Sequence, residues 1–153
     1  EDVTDAIHVF IRQERSMLTR REGRWDFFYE SFKIAAQNRY SGSMKENHEK
    51  LYKYFYNRTI ENKNDFRAFA ETAFQLYLAD NEDKKPGEKI IALLSDAAYI
   101  VGKNRVCGID QLIEDYRIIP GDLRPKILED IVKTLRLSSH ILRKTPEMIL
   151  NQL

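Results

Sequence analysis

"GRWDFFYESFKIAAQNRY", residues 23–40, decides how the rest of the chain is read. It holds six aromatics in eighteen residues and changes its period partway along. Trp25, Phe27 and Tyr29 alternate with Arg24, Asp26 and Phe28, which is the period of a strand. Ser31 suits a helix cap, and Phe32, Ala35, Ala36 and the Arg39–Tyr40 pair then keep a period near 3.6. A strand therefore delivers its aromatics straight into a helix.

Upstream, Glu22–Gly23 offers a tight turn, because glycine tolerates positive φ. Met17–Arg20 supplies the partner strand of a hairpin. Before it, Val3, Ala6, Ile7 and Phe10 mark one stripe of a helix over Asp2–Arg15. Helix, hairpin, helix is the closing part of a winged-helix arrangement, with the hairpin as its wing.

Downstream, "SGS" at 41–43 breaks the helical period. A helix over Met44–Asn57 carries Leu51, Tyr52, Tyr54, Phe55 and Tyr56, and "RTIENKN", residues 58–64, reads as a polar linker. Asp65 is placed to cap a helix over Phe66–Ala79. "DNEDKKPG", residues 80–87, reads as an exposed loop, and Pro86–Gly87 precede a short helix over Glu88–Leu94. Helices over Ala97–Asn104, Ile109–Arg117 and Leu123–Arg143 follow, punctuated by Gly108 and Pro120–Gly121. Pro125 falls in the first turn of the last one, where its missing N–H costs nothing. Pro146 opens a further turn. The expected fold is thus mainly α. Residues 1–42 form the closing part of a winged-helix domain. Residues 43–153 form a helical arm of antiparallel pairs stacked in solenoid fashion.

Composition narrows the function classes. The chain has 153 residues, 42% hydrophobic and 32% charged, enough for a packed core under a solvated surface. Its 25 basic and 24 acidic side chains give a net charge of +1, so nothing draws it globally to nucleic acid or anionic lipid. Cys107 is the one cysteine, which excludes an internal disulfide and favours a reducing, cytoplasmic setting. No apolar run reaches membrane-spanning length. "EDVTDAIHVF" lacks the basic start of a secretory signal, and a start without Met directly on a helix-like pattern leads us to expect a piece excised from a longer protein.

Catalytic and metal chemistry find little footing. No glycine-rich loop runs into Lys-Ser/Thr. His8, His48 and His140 fall on different helices without ligand spacing, so no metal site is expected. Cys107 has no base beside it, which points to a small half-buried residue rather than a nucleophile. Glu114 and Asp115 are consecutive, so they point about 100° apart and make a poor acid–base pair. Arg20, Arg21 and Arg24 crowd the wing and would meet DNA phosphates in a nucleic-acid-binding winged helix. The acidic start of the first helix opposes that. The tyrosines of "LYKYFYNR", residues 51–58, sit at helical spacing, where packing explains them better than base stacking.

The order of pieces resembles the stretch of the STAND-class signal-transduction NTPases (the NACHT and NB-ARC ATPases) that joins the ATPase module to C-terminal repeats. The WD-repeat members are the most similar. "LTRREGRWDFFYESFKIAAQNRY" resembles the wing and last helix of their winged-helix domain. "HEKLYKYF", residues 48–55, resembles their "HxxLAxYF" helix. "FAETAFQLYLADNEDKKPGEKIIALLSDAAYIVGKNRVCGIDQLIEDYRI" resembles their helical arm, in which a helix is followed by a "xxLLxDxxYLxxKxxxxGxxxLLxDY" run. "LRLSSHILRKTPEMILNQL" resembles the "LxxSxHxLxxxPxxLxxQL" segment before the propeller.

The resemblance implies a regulatory arm and no enzyme within this chain. ADP or ATP would be bound by an upstream ATPase module. The arm's partners would be that module, a downstream repeat domain and other proteins, with no membrane and no nucleic acid. In the class a His at the strand–helix join contacts the β-phosphate of ADP. Here Tyr29 stands at that position, with Glu30 beside it. A tyrosine donates one hydrogen bond but carries no positive charge near neutral pH. Trp25, Phe27 and Phe32 are expected to anchor the join by burying apolar area. Two other readings stand beside this one: a helical protein–protein scaffold without a nucleotide role, and a winged-helix nucleic-acid binder.

Overall fold

A computed structural model shows a mainly helical chain in two compact units, Glu1–Met44 and Lys45–Leu153. The structure describes residues 8, 9, 11–13, 15, 17–21, 24–81 and 85–152, with the backbone alone at residues 20, 21, 24–27 and 36. The expected stripe of Val3, Ala6, Ile7 and Phe10, the Glu22–Gly23 turn and the centre of the 80–87 loop lie outside the described residues.

In the first unit the backbone is helical at His8, Val9 and 11–13. Strands β1 (Leu18–Arg21) and β2 (Arg24–Phe27) then pair antiparallel, Leu18 opposite Phe27 and Arg21 opposite Arg24. The expected second strand reached Tyr29. Instead the ladder adds one more bond, Phe28 N–H to Met17 O at 2.8 Å, and the chain bends into helix α1 (Glu30–Tyr40). The helix opens one residue before Ser31, with Tyr29 extended at the N-cap.

Every described side chain on α1 is exposed. Phe32, expected as a buried anchor, keeps 37% of its surface. Phe32, Ala35 and Tyr40 share one face of α1 and Ile34 lies about 200° around the axis from Phe32, and all four stay exposed. Residues 41–43 break the α-helical period as a 3-10 turn, with the Ser41 and Ser43 hydroxyls donating to Asn38 O and Tyr40 O.

The second unit contains α2 (Met44–Glu61), α3 (Phe66–Asp80), α4 (Glu88–Ser95), α5 (Ala97–Cys107), α6 (Ile109–Arg117) and α7 (Lys126–Leu142). Short 3-10 segments follow α6 and α7, at Gly121–Leu123 and Pro146–Asn151. Carboxylates mark the helix starts. Asp65 caps α3 by accepting from Ala68 N–H at 3.0 Å, and Asp96 caps α5 by accepting from Tyr99 N–H at 2.8 Å. Asp80, at the end of α3, reaches forward to Ile90 N–H of α4 at 3.0 Å. Gly108 joins α5 to α6 with φ +83°, a conformation that side chains strain to adopt.

Three boundaries of the second unit differ from the sequence reading by three residues or more, and one of them is the end of α5, at Cys107 rather than Asn104. Helix α2 runs to Glu61, through half of the expected linker, because Arg58 grips Asp65 at 2.6 Å and Thr59 is buried with its hydroxyl on Tyr56 O. Helix α7 starts at Lys126 rather than Leu123, because Arg124 precedes Pro125 and is held extended.

One apolar core runs through α3–α7 and the last 3-10 segment. Ala73 and Leu76 of α3, Leu94 of α4, Leu112 of α6, Leu135 of α7 and Ile149 are among its most enclosed members. Each buried Leu or Ile contributes about 1.5–3 kcal/mol. Helix α2 is attached more lightly, burying only Phe55 and Thr59.

Candidate functional site

The join residues come first, since the sequence singles them out. Tyr29 and Glu30 are neighbours at the opening of α1, and the Tyr29 ring is 54% exposed. Phe28 stacks edge-on against it at 4.8 Å, and Phe32 lies at 6.0 Å. Tyr29 makes no cap bond, so its hydroxyl is not spent on the helix start. The Glu30 carboxylate sits 3.9 Å from Lys33 Nζ and complements the helix dipole. A helix opening and a phenolic donor suit an anion; the Glu30 charge opposes one. The side chains of Trp25 and Phe27 lie outside the described residues.

The second unit holds a feature that was not singled out in the sequence. The Lys103 side chain is fully enclosed, and its ammonium donates to Phe69 O at 2.7 Å and to Asp115 Oδ1 at 3.0 Å. Tyr99 Oη donates to the other carboxylate oxygen at 2.8 Å. Burial pushes the Asp115 carboxyl above its ordinary range, against the pull of Lys103 and Tyr99. Burial, and then the Asp115 charge, push the Tyr99 phenol well up. Next to this triad, Tyr116 Oη donates to Leu94 O at 2.8 Å.

The triad ties α3, α5 and α6 together with charge-assisted bonds. With Lys103 fully enclosed, it acts as a clasp. Glu114 faces the other way, exposed and paired with Arg117, as the 100° step between consecutive residues requires. The signal was present in the sequence. Lys103 follows Tyr99 by one turn, and Asp115 lies among Leu112, Ile113 and Tyr116, all buried.

Above the clasp lies a half-open groove of about 520 Å³. Helix α2 contributes Tyr56, Thr59 and Ile60 to it, and α5 contributes Ala97, Ala98, Val101, Gly102 and Arg105. Phe69 and Tyr99 also line it, so the groove and the clasp share residues. Its lining is mostly apolar, with Asp96, Lys63 and Arg105 as the charged exceptions.

The remaining candidates have structural roles. His48 Nδ1 meets Gln75 Oε1 at 2.8 Å, and His140 Nδ1 meets Leu137 O of its own helix. Cys107 Sγ donates to Phe66 O at 3.6 Å, and burial raises its thiol pKa. Of the aromatics in 51–58, Phe55 is buried while Tyr54 is exposed. Among the described residues no three His, Cys, Asp or Glu gather to hold a metal ion, and no helix is long and apolar enough to cross a membrane.

No protein-family model, curated protein or solved structure matches this chain. The site is therefore read from its own geometry. The polar and glycine positions of the "LLxDxxYLxxKxxxxGxxxLLxDY" run correspond here to Asp96, Tyr99, Lys103, Gly108, Asp115 and Tyr116. Asp96 caps a helix, Tyr99, Lys103 and Asp115 form the clasp, Gly108 makes the positive-φ joint, and Tyr116 sets its hydroxyl on a carbonyl.

Proposed function

We propose that the chain is the coupling arm of a nucleotide-dependent signalling switch of the STAND class. It would carry the closing part of a winged helix and a helical lever between an ATPase module and a sensor domain. The observation that supports the reading is the run from Asp96 to Tyr116, in which every polar position of the resembled pattern carries a packing or capping duty. The piece order of ribbon, helix and helical unit fits the same reading. Such a lever works by contacts that differ between two states and does no chemistry itself. In this reading Tyr29 and Glu30 face the nucleotide of the ATPase module, and Tyr29 offers a single neutral donor.

The full-length reading frame tests the proposal. A phosphate-binding loop encoded upstream of residue 1 is expected. The chain itself, incubated with ATP and Mg²⁺, is expected to release phosphate no faster than buffer. A full-length frame without such a loop would sink the switch.

The scaffold reading has its own observation, the open apolar groove over α5. A groove of this kind serves partner binding whether or not a nucleotide is involved.

A further inference from the structure

The groove over α5 has a floor, two walls and an electrical polarity. Its floor is made of small residues on one face of α5: Ala97 and Ala98, both exposed, then Val101 and Gly102. A Cβ added at Gly102 would stand 2.8 Å from the Phe69 ring, so the floor and the aromatic below it are in contact. Ile60 on α2 and Leu150 on the last 3-10 segment rise beside it, 60% and 57% exposed.

The charges lie at opposite ends. Asp96 stands at the N-terminus of α5. Arg105 follows nine residues later, about 14 Å along the axis. Arg105 Nη2 donates to Lys63 O at 2.9 Å, which brings Lys63 to the same end. Among the described residues neither cation joins an ion pair, whereas Arg58, Arg117 and Arg143 all do.

We propose that this groove receives one amphipathic helix of a partner protein, with small or aliphatic residues on its docking face and carboxylates at its C-terminal end. A helix fits better than an extended peptide, because the floor is a helix face with no free backbone edge for a strand to pair with. Small floor residues let the guest axis approach closely. The guest runs parallel to α5: its positive N-terminal end meets Asp96, and its acidic C-terminal end meets Lys63 and Arg105. This deepens the scaffold reading and is independent of the nucleotide.

The test uses a fluorescein-labelled helical peptide of about four turns. It carries leucine at every third or fourth position on one face and two glutamates at the C-terminal end. A control peptide carries the glutamates at the N-terminal end. Fluorescence anisotropy against the whole chain is expected to show saturable binding of the first peptide and at least about fivefold weaker binding of the second. The Lys63→Glu/Arg105→Glu double variant is expected to reverse that order of preference. Ala98→Trp, on the exposed floor, fills the groove and is expected to abolish binding while circular dichroism stays unchanged.

Absence of saturation up to about 1 mM, equal binding of the two peptides, or full binding by Ala98→Trp would overturn the proposal. So would sedimentation showing a dimer of the free chain that Ala98→Trp dissolves, since the occupant would then be a second copy. Failure of these tests leaves the upstream phosphate-loop question untouched, so the two readings fail separately.

Discussion

Lys103 Nζ lies 3.0 Å from Asp115 Oδ1, with the two side chains only 0% and 9% exposed. The pair is completed by Phe69 O on the lysine and Tyr99 Oη on the carboxylate. Three helices that are separate in sequence thus meet at one buried charge pair. Such pairs add little net stability over a well-packed apolar substitute, but breaking one half is costly.

Lys103→Met is therefore expected to cost about 3–5 kcal/mol, by stranding the Asp115 charge. Lys103→Met combined with Asp115→Leu is expected to recover much of that loss. Tyr99→Phe removes one charge-assisted bond and is expected to cost about 1.5–3 kcal/mol. Urea unfolding midpoints give all three. A double variant no more stable than Lys103→Met would contradict the clasp.

Acid titration separates two carboxylates of opposite behaviour. The Asp65 carboxyl is held below its ordinary value by the Ala68 N–H and then by Arg58. Its contribution is fully present above the unfolded value of about 3.9 and is lost as the pH falls through the lower folded value. Asp65→Asn is expected to flatten the acid limb of stability below about pH 4. Asp115 has a raised folded value, so the folded state holds its proton more tightly than the unfolded chain does. Its contribution grows as the pH falls from above the folded value toward about 3.9. Asp115→Asn is expected to remove that growth. Unfolding free energies measured between about pH 2 and 7 decide both.

Glycine substitutions grade the joints. Gly108→Ala forces a side chain into φ +83° and is expected to cost about 1–3 kcal/mol. Gly102→Ala presses on the Phe69 ring and is expected to cost about 1–3 kcal/mol, relieved by a smaller residue at 69. Gly42→Ala meets nothing within 4 Å and is expected to stay within about 0.5 kcal/mol. Thermal unfolding of the three variants gives the order.

In the switch proposed above, where an ATPase module would precede the chain, Tyr29→Phe deletes the phenolic donor at the join. Loss of a neutral hydrogen bond of about 0.5–1.5 kcal/mol predicts a two- to tenfold faster release of ADP. An unchanged release rate would remove Tyr29 from the nucleotide path.

Much of the second unit was legible because punctuation and caps are local. Asp65, Gly108 and the Ile109–Arg117 helix stand where the sequence put them. The end of α2 is not legible in the sequence, because "RTIE" looks like a linker by composition. What keeps it helical is a contact across a turn, Arg58 with Asp65, which no window of neighbours reveals. The clasp is hidden in the sequence for a related reason. Lysine and aspartate are read as surface residues, and only the fold brings Tyr99, Lys103 and Asp115 together. At the join, burial was expected of Phe32, yet Phe28, Tyr29 and Phe32 touch one another and remain exposed.

The light attachment of α2 sets an order of opening. With only Phe55 and Thr59 enclosed, its amide hydrogens should exchange with deuterium well before those of α3 or α7, in a local excursion that leaves the main core intact. The groove wall carrying Tyr56 and Ile60 would then behave as a leaf on a spring, and a guest seated there would slow the exchange of residues 44–61 without touching most of them.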